Sequence, residues 1–203
     1  MGTRRFLSIF SLLGLVMAGT QLSAAPQHFG ARLTATTQPS NAGHGIFCNG
    51  AANNNGMCTW VLMQAFQCEF GSCLNGHLAP ANGTIGTIKV IACFPGSFVL
   101  QIAKNVNPKT NQAEVVRSGP LIDYQGDPQH CNGQDFAIES FTVSVPVLKG
   151  EYLAVATDRM GFIRCSGGGD NSIDFEPPLA DGGALRKATH TDGCFMLLEA
   201  IYQ

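Results

Sequence analysis

Chemistry in a chain of 203 residues needs titratable or nucleophilic side chains at workable spacing, and the supply here is 14 Asp and Glu, 5 His and 8 Cys. A pair of carboxyl groups about 5–10 Å apart across a cleft would hydrolyse a glycosidic bond. Glu139, beside a strand-like run, and Glu199, inside an apolar C-terminal run, are the pair to consider. Glu199 is the sharper of the two, because a carboxylate among apolar residues is costly to ionise without a partner. The ordinary alternative, an ion pair at a sheet edge or rim, is the reading we favour. Acyl-transfer chemistry finds less support. There is no G-x-S-x-G elbow, and His28, His44, His77, His130 and His190 all stand in loop-like sequence, where exposure to water is expected. A cysteine nucleophile would leave an odd thiol out of an even count. No catalytic residue is assigned: the chain reads as a binding or structural protein rather than an enzyme, with a glycan-active hydrolase using the acidic pair as the alternative.

Two further residue sets could hold a ligand. The stretch GDNSID at 169–174, with Glu176 close behind, offers oxygen ligands on a glycine-rich loop, which is what calcium prefers. Asp170 and Asp174 would be the ligands, although the spacing matches no EF-hand loop and Asp and Asn beside glycine are also ordinary turn formers. No other cofactor is expected. Aromatic side chains could stack on a glycan: Trp60 is the only tryptophan, and Tyr124, Tyr152 and Tyr202 are the tyrosines. Trp60 sits in an apolar strand and reads as core before platform. Tyr124, in a glycine- and proline-rich stretch, is the better candidate for an exposed contact. A glycan, or another copy of the chain joined through sheet edges, is therefore the expected partner.

The chain starts with Arg4 and Arg5, continues with an apolar run over 6–18 and small residues at 22–25, the pattern of a secretory signal peptide. The cut is expected near Ala24, since cutting after Ala25 would leave Pro26 first. The run is too short for a membrane span, which needs about 20 apolar residues, and no other segment could serve. The address is secreted or periplasmic. Loss of Arg4 and Arg5 leaves acidic residues in clear excess, and the remaining basic ones are scattered. Nucleic-acid binding needs clustered positive charge, so that class is set aside. Cys48, Cys58, Cys68, Cys73, Cys93, Cys131, Cys165 and Cys194 all follow the leader. An even count in an exported chain reads as disulfides. Cys48–Cys58 and Cys68–Cys73 are the short closures, and Cys165–Cys194 would tie the last strand back. Zinc is the rival, but no CxxC pair exists.

The elements that must position these residues are strands. Over 141–147 the apolar Phe141, Val143, Val145 and Val147 alternate with small polar residues and Pro146, a period of two that puts one row on a core. The pattern breaks at 148–151 and resumes over 152–157. Residues 84–93 and 98–104 are expected to form a hairpin around FPGS at 94–97. A turn at 105–112 precedes a short strand over 113–117, and 118–135 reads as an irregular connection, as does 166–192. CTWV at 58–61 tips the ambiguous 57–68 toward strand. Residues 25–56 read as a flexible or loop-like arm pinned by Cys48 and Cys58. The end of the chain is apolar enough for a central strand buried on both faces.

Short strands between turns, with almost no amphipathic helix, predict an all-β, antiparallel, disulfide-bonded β-sandwich over 57–203, jelly-roll-like in type. The motifs CTWV (58–61), HLAP (77–80), GTIGTI (83–88), GSFVLQ (96–101), GEYL (150–153) and PPLADG (177–182), together with the 141–147 strand and the apolar terminus, follow in order. In this the chain resembles a group of secreted bacterial β-sandwich proteins without an assigned activity. The resemblance covers roughly Cys58 to the end and implies a fold and export; it carries no active-site residue.

Overall fold

The described residues, 26–33, 46, 48, 56–64, 77–130, 136–157, 165–166, 172–193 and 195–202, form strands and their connections in a computed structural model, with no helix among them. In chain order the strands are β1 (Gln27–Gly30), β2 (Cys58–Leu62), β3 (Gly83–Val90), β4 (Gly96–Asn107), β5 (Gln112–Tyr124), β6 (Glu139–Val147) and β7 (Tyr152–Thr157). They continue as β8 (Cys165–Ser166), β9 (Ser172–Phe175), β10 (Arg186–Lys187), β11 (His190–Asp192), β12 (Phe195–Met196) and β13 (Leu198–Tyr202). The protein is all-β. A four-stranded sheet runs β1-β13-β3-β6, a seven-stranded sheet runs β10-β5-β4-β7-β2-β9-β11, and β8 pairs with β12. All strand pairs are antiparallel. The leader at 1–24, Cys68, Cys73, Cys131, Cys194, His44 and Asp170 lie outside the described residues.

Alternation in β6 is as expected: Val143, Val145 and Val147 are buried while Ser140, Thr142, Ser144 and Pro146 are exposed. They join Ile85, Ile88 and Leu198 of the same sheet, and Trp60, Leu100, Leu153 and Val155 of the other, in one apolar cluster. The apolar C-terminus is β13, between β1 and β3 and buried almost throughout, as read. The turn after Asn105 also forms. Asn107 Oδ1 accepts from the amides of Lys109 (3.0 Å) and Thr110 (3.3 Å), and this side-chain-made turn joins β4 to β5.

Several expectations are corrected. The hairpin between 84–93 and 98–104 does not exist, because β3 and β4 belong to different sheets. Ile85, Ile88 and Val90 meet Phe98, Leu100 and Ile102 within the same buried cluster, contributed by two sheets instead of one, which removes more apolar area from water than side-by-side pairing would. Residues 118–124 are strand, not irregular. Val99 pairs with Leu121 and Gln101 with Ser118, so the Gly119-Pro120 dipeptide is absorbed as an extra residue in β5. A bulge supplies the place where proline's missing amide costs nothing in the ladder. A Cβ on Gly119 would lie 2.6 Å from Val145 Cγ2, so only glycine lets β6 pass this closely. The 166–192 region contains β9, β10 and β11. The arm at 25–56 is not wholly loop-like: β1 pairs Gln27 with Tyr202 through Gly30 with Glu199. Phe29 packs edge-on to Tyr202 at 5.7 Å and 88°, and Tyr202 Oη donates to Gln27 Oε1 at 2.6 Å. Cys48–Cys58 is a disulfide, as read, with 5.6 Å between Cα atoms. Cys93 is also disulfide-bonded.

The outer face of the seven-stranded sheet is covered too. Val61, Ala103, Val115, Ala154, Ile173, Phe175 and Leu179 make a second apolar cluster, which explains why β7 is buried on both faces. A fully satisfied polar network fastens this cover. Gln101 Oε1 accepts from Thr59 Oγ1 (2.9 Å), while its Nε2 donates to Ser118 Oγ (3.1 Å) and to the Leu179 carbonyl (3.2 Å). The Leu179 amide donates to Thr59 Oγ1 at 2.9 Å, and Asp181 accepts from the Ser118 amide (2.8 Å) and hydroxyl (2.6 Å). Replacing Gln101 by Ala orphans buried partners, each worth about 1–3 kcal/mol when unsatisfied. Urea denaturation of Gln101→Ala should show a loss of about 2–3 kcal/mol with an unchanged far-ultraviolet spectrum, whereas a loss under half that size would mean the network does not hold the cover.

Candidate functional site

In β9 the residues Ser172, Asp174 and then Glu176 alternate with Ile173 and Phe175. Ile173 and Phe175 belong to the outer cluster, so the polar set faces the other way, toward the side of Trp60, which is opposite Asp174 in the ladder. On the far side β11 places His190 opposite Asp174 and Asp192 opposite Ser172. Ser172, Asp174 and Glu176 are all buried. Three of the eight buried polar or charged residues among those described thus fall within 172–176, and of these the sequence singles out only Asp174 and Glu176, without His190 as their companion. The strict S-I-D-F-E alternation over 172–176 was the available signal, hidden by the glycines before it.

Asp174 is 2% exposed. Its Oδ1 lies 3.2 Å from His190 Nδ1 without accepting a hydrogen bond, while Oδ2 is 3.4 Å from the same nitrogen. We read this as a charge contact with one weak hydrogen bond. Burial pushes the Asp174 carboxyl above the ordinary carboxylate range, contact with His190 offsets part of that, and the Glu176 charge adds to the upward push. Glu176 has a second set of neighbours. Its carboxylate and the sulfurs of Cys48 and Cys58 lie within 4.8 Å of one another, the group of potential metal-ligand atoms found among the described residues. As long as the two sulfurs share a bond, they are not available as thiolates.

The expected acidic pair does not converge. Lys89 stands opposite Glu199, and its neighbour Val90 stands opposite Glu139. Successive residues of a strand point to opposite faces and directly opposed residues share one, so Glu199 of β13 and Glu139 of β6 project from opposite faces of the sheet. Each is also engaged. Glu199, 1% exposed, accepts from the Leu33 amide (3.2 Å), pairs with His28 Nδ1 (2.6 Å), and faces Lys89 Nζ at 3.6 Å. This is the ion-pair reading, placed inside the sheet instead of at its rim. Glu139 accepts from the Gln125 (2.9 Å) and Gly126 (2.8 Å) amides and closes the turn after β5. Gly126 has φ +69°, and a Cβ there would meet the Phe94 carbonyl at 2.7 Å, so the turn needs glycine on both counts.

Tyr124, expected to be exposed, is 1% exposed and packs on Phe98 at 6.0 Å. It ends a strand that the Gly-Pro signal had concealed. Trp60 is a core residue at 4% exposure, as the plainer reading had it. Neither offers a face to a sugar. Of the two expected calcium ligands, only Asp174 is described, and its partner is a histidine. Among the described histidines, His28, His130 and His190 are exposed, as expected, and only His77 departs from that reading. His28, His130 and His190 each direct Nδ1 at a carboxylate, of Glu199, Asp127 and Asp174. His77 is half-buried against the Tyr152 ring at 5.7 Å, with Nδ1 buried and without a hydrogen-bond partner. Burial lowers its pKa. A histidine oriented by a carboxylate is half of a hydrolytic triad, but its threefold recurrence here at separate places makes it a structural habit of this chain.

Comparison with protein-family models, with curated proteins and with solved structures found no match.

Two pH dependences follow. A raised carboxyl pKa means that the folded chain keeps the proton where the unfolded chain has lost it, so stability falls as pH rises through the window above the ordinary carboxylate value. Asp174→Asn should therefore raise Tm at pH 7, with a smaller gain at pH 4; an equal gain at both would remove burial of charge as the cause. His77 has the opposite arrangement, a folded pKa below the ordinary 6.5. Its contribution is intact above that value and is lost as pH falls through it. In a matched melting series, His77→Phe should flatten the decline of Tm between pH 7 and pH 5, and an unaltered slope would disprove it.

Proposed function

We propose that this protein is an exported, disulfide-bonded β-sandwich of jelly-roll-like type that works by binding or as a structural component of the cell envelope or extracellular space, and not by catalysis. The observation that carries this reading is the register of Lys89 and Val90, which sends Glu199 and Glu139 to opposite faces and denies a hydrolase its acidic pair. The sandwich reading draws support from the apolar cluster to which both sheets contribute. Export draws support from the Cys48–Cys58 bridge, since such bonds persist in oxidising compartments, and from the resemblance to secreted bacterial β-sandwich proteins. Among the described residues no helix is long and apolar enough to cross a membrane.

Assembly is favoured over glycan stacking, because Trp60 and Tyr124 are buried. Of the strands at the ends of the two sheets, β1, β10 and β11 have 4, 2 and 3 residues, whereas β6 has 9. A strand of another copy would add where length permits, at β6. Expressed with its leader in a bacterial host, the chain should be recovered outside the cytosol, cut near Ala24, with Cys48 and Cys58 in one non-reduced peptide. It should elute above monomer size and leave chromogenic glycosides intact. An uncut cytosolic product would overturn export, a strict monomer would overturn assembly, and glycosidase activity lost in Glu199→Gln would restore the hydrolase.

A further inference from the structure

Three potential metal ligands, Cys48, Cys58 and Glu176, converge within 4.8 Å while all three are buried, an unusual place for a carboxylate beside a disulfide. Strand pairing sets their positions. Cys58 lies opposite Thr157 on one side of β2, and Thr59 lies opposite Phe175 on the other, so the next step of the ladder brings Glu176 beside Cys58. Glu176 is held at its backbone: its amide donates to Thr189 Oγ1 at 2.9 Å, and its carbonyl accepts from the same hydroxyl at 3.3 Å. Cys48 Sγ sits 3.4 Å from the Thr157 carbonyl oxygen. Cys58 and Glu176 thus keep their places through β2, β7 and β9 whether or not the bridge is closed.

We propose that Cys48, Cys58 and Glu176 form a redox-gated site for a thiophilic divalent cation of the zinc class, shut in the disulfide form and opened by reduction. A dithiol supplies two electrons and two protons. The S–S bond breaks, both sulfurs become thiols, and the reductant leaves as its own disulfide. Zinc then displaces the two thiol protons to solvent and takes both thiolates and a Glu176 carboxylate oxygen. The Thr157 carbonyl oxygen, 3.4 Å from Cys48 Sγ, is an oxygen beside the site for a tetrahedral fourth position. At Zn–S distances of about 2.3 Å the sulfurs need to stand about 3.8 Å apart, a separation that Cα atoms 5.6 Å apart accommodate by side-chain rotation. Thiolate ligands select zinc-class ions over calcium, so this site differs in chemistry from the calcium loop expected at Asp170 and Asp174. Re-oxidation by a disulfide or by dioxygen takes two electrons from the thiolates, re-forms the S–S bond and returns the ion to solvent.

The test uses the full chain, reduced anaerobically with a phosphine, and cobalt(II) as the probe. Far-ultraviolet circular dichroism of the reduced chain comes first, and loss of the β signal without metal would overturn the proposal. Wild type should bind cobalt with thiolate charge-transfer absorption that zinc removes. Glu176→Gln should weaken that binding about tenfold or more, and Cys48→Ser with Cys58→Ser should abolish it. Undiminished binding in Glu176→Gln would overturn the proposal, because it would place the ion on other cysteines. A second measurement is independent of the serine variant's folding: zinc should slow reappearance of the linked Cys48–Cys58 peptide during air oxidation, and an unchanged rate would count against the site.

Discussion

One buried amide holds the seven-stranded sheet to its outer cover. Gln101 stands in the middle of β4 and engages Thr59, Ser118 and the Leu179 backbone at once. A buried polar group costs free energy unless every donor and acceptor is met, and here each is. That requirement fixes where 176–182 crosses the sheet, because only one placement brings the Leu179 carbonyl and amide to their partners. With Leu179 in place the outer cluster closes over Ile173, Phe175 and Ala154. With the cover in place, β9 is confined between two packed faces, and its polar row must accept a buried environment. The burial of that polar row is thus a downstream consequence of the amide.

A second fastening works where the chain passes between the two sheets. Arg117 donates to Glu151 twice, from Nη1 to Oε2 at 2.5 Å and from Nη2 to Oε1 at 2.9 Å, and the Leu148 amide also donates to Oε2 at 2.7 Å. A two-pronged guanidinium–carboxylate contact carries orientation as well as charge. It ties the turn between β6 and β7 to β5, where the chain passes from one sheet to the other. Buried carboxylates therefore have distinct duties: Glu151 orients a crossing, Glu199 joins three strands, and Asp174 is the one left with a poor bargain in a dry place.

Strands that alternate against water were legible from residue types alone. In β6 the valine row announced its face, and β13 announced burial on both sides through an apolar run interrupted only by Glu199. Pairing was not legible, because period two says which face is apolar and not which strand lies alongside. So 84–93 and 98–104 were joined as neighbours although they line a common core from different sheets. Gly119-Pro120 puts 118–135 outside a strand on sequence alone, because a breaker in isolation looks the same whether it stops a ladder or sits in a bulge. Asp174 and Glu176 were visible as carboxylates, but their burial depended on the cover at Leu179, far away in the ladder order. Tyr124 suffered from the same cause: its exposure was inferred from flanking glycine and proline, while its partner Phe98 stands in another strand.

The place of β13 bears on the timing of folding. It lies between β1 and β3, so β1, the first described strand, has no partner in the sheet until β13 arrives, and β13 is translated after every other described strand. The four-stranded sheet cannot be completed piecemeal as the chain emerges; its assembly waits for contacts between distant parts of the sequence, which is slow by nature. If the chain is exported as proposed, that delay suits passage in an unfolded state. The strand order that closes the sheet also keeps it open until its last strand has been made.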